Sequence, residues 1–234
     1  MEAALLGTAG VLEQERRRRQ ERVRARNEPP RLSAEEERFN TLSHGAGVLL
    51  GAVCTALLLA KSDTAWKLAA SLVYGGSMTL MMLMSSIYHA MPTGSGAKRF
   101  CRRLDYTSIF LLIGGTFAPI LLVYLGGTAG LLLFCGQWAV ILAGAGLVLA
   151  FGPGQWRAAM FTLYFVLGWS GLAFLPEFFR NAPTLLWFIL MGGIVYTTGM
   201  IPFARKRKYD HCVWHLFVLA AALLHFLGIY TQIY

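Results

Sequence analysis

The sequence predicts an all-α, polytopic membrane protein, a bundle of seven transmembrane helices with its N-terminus cytoplasmic and its C-terminus outside. Three observations predict it. The chain of 234 residues is 56% hydrophobic and only 14% charged, with a mean hydropathy of +0.53, whereas a soluble domain carries about a quarter charged residues. Apolar runs of roughly 20 residues, the length needed to cross a ~30 Å hydrocarbon core, recur with short connections between them. Eighteen of the 21 Lys and Arg residues then fall on one side of the alternation, a decisive positive-inside bias.

The elements follow in order. Residues 1–40 are read as a basic cytoplasmic tail, helical over 11–27, and residues 41–234 as the transmembrane domain. The apolar stretch 3–12 has no basic residue before it and runs straight into Glu13 and an arginine cluster. That order is wrong for a cleaved signal, so the tail is expected to be retained. Its arginines, Arg16 to Arg19, Arg22, Arg24 and Arg26, lie just ahead of the first span. In a chain anchored this way they are expected to meet anionic lipid headgroups, with membrane lipids as partners and no nucleic acid.

Seven spans are placed at about 42–60, 68–90, 105–125, 131–150, 158–176, 184–203 and 211–230. Lys98, Arg99, Arg102 and Arg103, then Arg157, then Arg205 to Lys208 share the side of the tail; Lys61, Lys67 and Arg180 lie opposite. Dropping or adding a span would scatter these clusters over both faces. Trp66, Trp187, Tyr230 and Tyr234 mark the outer boundary, and Trp156 and Tyr209 the inner one, where amphipathic rings favour the headgroup level. Gly47 and Gly51, Gly144 to Gly146, and Gly192-Gly193 allow close helix contact. No cysteine pair has CxxC spacing, and no disulfide framework is expected.

Against this apolar background a few polar residues stand out. Ser85 and His89, four apart on one helix face, end the second span. Asp105 opens the third, and His211 and His215, again four apart, open the last. By the topology all lie near the inner boundary, although adjacency of the helices is not legible. Ionisable groups at membrane depth are costly and usually mark a site. Three histidines and a carboxylate suit Zn²⁺, which takes neutral imidazole. An HxxxH pair supplies two ligands from one helix, as in HExxH hydrolases, but lacks the internal glutamate. Asp105 is then the candidate general base. The same residues are also compatible with hydrogen-bonded packing at the interface. His225 is assigned to packing, His44 to packing or to support of a metal site, and Asp210 to solvent; Cys212 points about 100° from the His211/His215 face and is left out.

These motifs resemble a known family. Glu37-x-x-Asn40-x-x-Ser43-His44-Gly45, Ser85-x-x-x-His89, Asp105 with Gly115-Thr116-x-x-Pro119, and His211-x-x-x-His215 are together similar to the hemolysin III-type members of the progestin and adipoQ receptor superfamily. That superfamily includes the adiponectin receptors and is related to alkaline ceramidases. The resemblance covers about residues 37–230. It implies a seven-helix bundle with zinc near the cytoplasmic face, bound directly by His89, His211 and His215. Asp105 would bind the metal through water, and Ser85 would hydrogen-bond nearby. The small size resembles the bacterial branch, implying the inner (plasma) membrane.

Three functions follow. The first is a zinc-dependent hydrolase of a lipid amide or ester, with Asp105 and Ser85 as its catalytic residues. The second is a non-enzymatic regulator or receptor of membrane lipid or stress, with a structural zinc. A channel or cytolysin is disfavoured, because the spans hold almost no midplane charge of the kind that selects ions.

Overall fold

A computed structural model describes residues 2–234, with side chains described from Glu13 onward, so the side chains of the apolar 3–12 stretch lie outside it. The chain is an integral multi-pass membrane protein: seven stretches are long and apolar enough to cross a bilayer. They are preceded by α1 (Glu2–Asn27). The first spans are α2 (Ala34–Ala60), α3 (Ala65–Ala90) and α4 (Gly96–Ala118). A π-helical turn, Pro119–Leu125, extends α4, and α5 (Gly127–Phe151) follows. The fifth span is broken into α6 (Arg157–Trp169), a 3-10 turn (Ser170–Phe174) and α7 (Leu175–Asn181). α8 (Pro183–Arg205) and α9 (Asp210–Gln232) complete the bundle.

Local chemistry accounts for the boundaries. Ser33 caps α2 in a capping box with Glu36, while Thr64 and Ser95 cap α3 and α4; each satisfies a backbone N–H that the first turn leaves free. Pro119 has no N–H to donate and crowds the preceding turn. The helix widens there, and the Gly126 N–H reaches back five residues to Leu121 O at 3.1 Å. Gly126 and Gly127, at φ 62° and 59°, then reverse the chain in a conformation that favours glycine.

The buried stripe of α2 runs through Asn40, His44, Gly47, Gly51, Cys54 and Leu58, the three-and-four spacing of a helix face. It packs between α3 and α9. A Cβ on Gly51 would lie 2.7 Å from Thr79 Oγ1 and 3.1 Å from its Cα, so only glycine allows this approach. The principal core joins Met78, Met81 and Met82 of α3 to Val218, Ala222 and Phe226 of α9.

The third span starts earlier than the sequence suggested. Lys98 to Arg103, expected as a loop, form the first turns of α4, with Lys98 and Arg102 buried. Asp105 therefore sits nine residues inside the helix, about 14 Å along its axis at 1.5 Å per residue. Lysine and arginine are good helix formers, and their long stems carry the charge to polar partners. Charge density alone therefore marked the boundary wrongly.

Candidate metal centre

α9 begins in a tight turn in which Lys206 and Tyr209 adopt φ of 59° and 64°. Asp210 clamps it, its carboxylate accepting from Arg205 Nη2 at 2.7 Å and from the Arg207 N–H at 2.9 Å. Asp210 is thus buried and paired, not solvated. Glu36 ties this turn to α2: while Oε2 closes the capping box, Oε1 accepts the Tyr209 N–H at 2.8 Å. These contacts fix the first two turns of α9, which carry His211 and His215, against the start of α2. His89 arrives from the last turn of α3.

The three histidines meet. Their ring centroids are 4.9–5.0 Å apart in all three pairs, and one ring nitrogen of each lies within 4.8 Å of the others. His89 Nε2 and His211 Nε2 face each other at 3.1 Å.

The outer hydrogen bonds decide which nitrogens can bind a cation. Glu37 Oε2 stands 2.7 Å from His89 Nδ1, and Glu37 is also paired with Lys98, so the carboxylate accepts and His89 Nδ1–H donates. Ser43 gives its hydroxyl proton to Asn40 O at 3.1 Å. The 3.2 Å contact between Ser43 Oγ and His215 Nδ1 therefore has His215 as donor. Neutral rings at both positions leave Nε2 lone pairs for the centre, the outer-shell pattern that orients metal-bound histidine. The arrangement can hold a metal ion.

Lys98 supports the carboxylate. Its ammonium is fully buried, 2.9 Å from Glu37 Oε1 as an ion pair off the hydrogen-bond direction. It also donates to Tyr88 O and Met91 O, each at 3.1 Å, and lies 4.8 Å from the centroid of the Tyr88 ring. Neither Glu37 nor Lys98 was assigned a role from sequence. The available signal was Glu37, Asn40 and His44 on one α2 face, polar residues running into an apolar span.

A cavity of ≈ 170 Å³ opens beside the histidines, lined by His211 and His215 together with His44, Ser85 and Asp105. Asp105 stands apart from the three-histidine cluster and shares the cavity wall with Ser85. His44 stacks on His215, ring centroids 3.7 Å apart. Among the described residues, neither of its nitrogens has a partner, nor does the side chain of buried Asn40. Much of the remaining wall is apolar, with Met81, Leu112, Phe165, Met200 and Val218. His225 lines the far end and donates to Ile189 O at 3.2 Å, while Cys212 points to Glu36 O, away from the cavity.

Comparison with known proteins agrees with this architecture. Residues 32–226 match the family described as haemolysin-III related. The chain is 32% identical over 196 residues to Hemolysin-3 of Bacillus cereus, covering 82% of this chain and 89% of the relative. It is 31% identical to the Hemolysin-3 homolog of Bacillus subtilis, with 83% and 93% covered. Identity to the Monocyte to macrophage differentiation factor of Homo sapiens is 25%, with 85% of each chain covered.

Proposed function

The chain belongs to the haemolysin-III related family, and for this member we propose a zinc-dependent hydrolase that cleaves an amide or ester bond of a membrane lipid. The observation that carries this reading is a metal-competent histidine cluster at the wall of an apolar cavity that also holds a carboxylate outside the ligand set. The donor chemistry fits zinc. Tetrahedral ligands at ~2.0–2.1 Å stand about 3.3–3.4 Å apart, close to the 3.1 Å between the Nε2 atoms of His89 and His211. Three protein ligands are the number found in catalytic zinc sites.

Zinc bound there supplies Lewis acidity and activates water. The chain's own groups do the rest. Glu37 and Ser43 hold two imidazoles in the tautomer that directs Nε2 inward. Asp105 takes the proton released on attack and returns it to the leaving amine or alcohol, the role of a general base and then acid. Ser85, on the same cavity wall, helps to orient the reacting groups or to stabilise charge. The acyl chain lies along the apolar walls. It enters from the bilayer beside the seam where α6 and α8 touch, through Phe161 against Phe203 and through Trp169 Nε1–H donating to Thr197 Oγ1. We place the protein in the bacterial cytoplasmic membrane with its basic face inward, following its charge bias.

A second reading makes the ion a structural staple in a regulator. It is favoured by the position of the cluster, which would join α3 to α9, helices whose backbones make little direct contact. Fatty-acid release from a panel of ceramides and other acyl lipids distinguishes the two. The hydrolase reading expects turnover that is lost on chelation and restored by zinc. No turnover from zinc-loaded protein across the panel supports the staple.

A further inference from the structure

The basic face carries a second concavity. A groove of ≈ 510 Å³ runs between α1 and the start of α4. Four arginines line it, Arg19 and Arg24 from α1 and Arg99 and Arg103 from α4, with no acidic residue among the described residues of its walls. Among the described residues, Arg99 has a carboxylate nearby, Glu28 at 3.6 Å, and the other three form no ion pair. Arg103 spends Nη1 on Leu149 O and Ala150 O, yet a guanidinium has five N–H donors.

The groove is held in shape by Asn27, one of its own wall residues, and by Arg102 behind it. Asn27 Nδ2 donates to Phe151 O at 2.9 Å, and Oδ1 accepts from the Gly154 N–H at 2.8 Å. Arg102 Nη1 donates to Asn27 O and Glu28 O. Together these hold α1 on the membrane domain, so four like charges are kept close together. The first turn of α4, at Gly96, also faces the groove, adding the positive end of a helix dipole. Such a site favours an anion with several acceptor oxygens, and phosphate matches arginine best.

The surroundings say where the phosphate comes from. Phe100, at the groove wall, is 58% exposed. Phe151 and Trp156 stack edge to face at 5.1 Å nearby and are also exposed. Bare aromatic rings at span ends belong at the headgroup level.

We propose that this groove is a binding site for one anionic phospholipid, its phosphate held by Arg19, Arg24, Arg99 and Arg103 and its acyl chains running past Phe100. Zwitterionic lipids also carry phosphate, but their ammonium group would be set among arginines. The site is separate from the metal centre and does not depend on the hydrolase reading.

Native mass spectrometry of the full-length protein in detergent, titrated with phosphatidylglycerol or phosphatidylcholine, tests this. One phosphatidylglycerol should bind in preference to phosphatidylcholine. Arg19→Gln/Arg24→Gln should weaken it by about fivefold per arginine, roughly 25-fold together. Arg16→Gln/Arg18→Gln removes the same charge outside the groove and should bind as wild type. Phe100→Ala leaves the charges and the Asn27 contacts intact and should also weaken binding. Equal loss in both arginine pairs would overturn the groove as the site, as would equal retention of the two lipids. Displacement by inorganic phosphate at matched concentration would make it a soluble-anion site and overturn the lipid assignment.

Discussion

Glu37→Gln separates the support of the metal centre from the centre itself. The carboxylate does two things: Oε2 accepts from His89 Nδ1 at 2.7 Å, and Oε1 neutralises fully buried Lys98 at 2.9 Å. Glutamine keeps the size and an acceptor oxygen but loses the charge. Breaking a buried ion pair by removing one partner typically costs ~3–5 kcal/mol. Here the cost should fall below that range, because Lys98 keeps the carbonyls of Tyr88 and Met91. Loss of an outer-shell partner of a metal-bound histidine typically costs about 10–100-fold in metal affinity, equivalent to ~1.4–2.7 kcal/mol. Glu37→Gln/Lys98→Met removes the unpaired cation, so stability should recover while metal affinity stays low. Competition against a chromophoric zinc chelator gives the affinity, and thermal unfolding of the metal-free protein gives the stability. Wild-type zinc affinity in the folded double variant would refute the assignment of Glu37 to His89. Affinity that recovers together with stability would show that Glu37 acts only through Lys98.

Other outcomes follow from the same geometry. His211→Ala/His215→Ala should abolish zinc retention, read by metal analysis of purified protein; unchanged zinc in a folded variant rejects the site. Asp105→Asn should keep zinc, because Asp105 stands outside the histidine cluster, yet end lipid hydrolysis, because an amide cannot serve as a general base near neutral pH; full turnover in that variant would contradict the assigned role. Gly51→Leu should lower thermal stability by about 1–3 kcal/mol or more through overpacking, since its Cβ would meet Thr79 backbone at 3.1 Å. Deleting residues 1–26 leaves the Ser33 cap, two basic clusters at 98–103 and 205–208, and Arg157 on the same side, so orientation and metal content should persist. Cysteine labelling from either side of sealed vesicles would read a cytoplasmic C-terminus if the tail were the main topological signal.

The spans were legible because hydrophobic length is nearly sufficient: backbone polar groups in hydrocarbon must be satisfied within a helix. The HxxxH pair and Ser85-x-x-x-His89 were legible because i, i+4 spacing fixes a shared face. What stayed hidden depended on partners from other helices. Lys98 reads as a loop cation until Glu37 is seen opposite it. Asp210, beside four basic residues, reads as solvated until the left-handed turns at Lys206 and Tyr209 fold it inward. The depth of Asp105 is hidden because the charges of Lys98 to Arg103 mimic a loop, whereas Ser95 caps α4 ahead of them. From the sequence, His44 suits packing and support of a metal site equally. Its ring lies face to face with His215 and borders the cavity, a placement no spacing on α2 could reveal.

The central claim is that the metal is held by three histidines with one position left open toward Asp105. X-ray absorption spectroscopy of zinc-loaded protein measures this most directly, because imidazole scattering counts the histidine ligands. Three imidazoles and one light oxygen ligand at about 2.0 Å are predicted, unchanged in His44→Ala. Four protein ligands, with His44 or Asp105 closing the shell, would make the ion a structural staple and contradict the account.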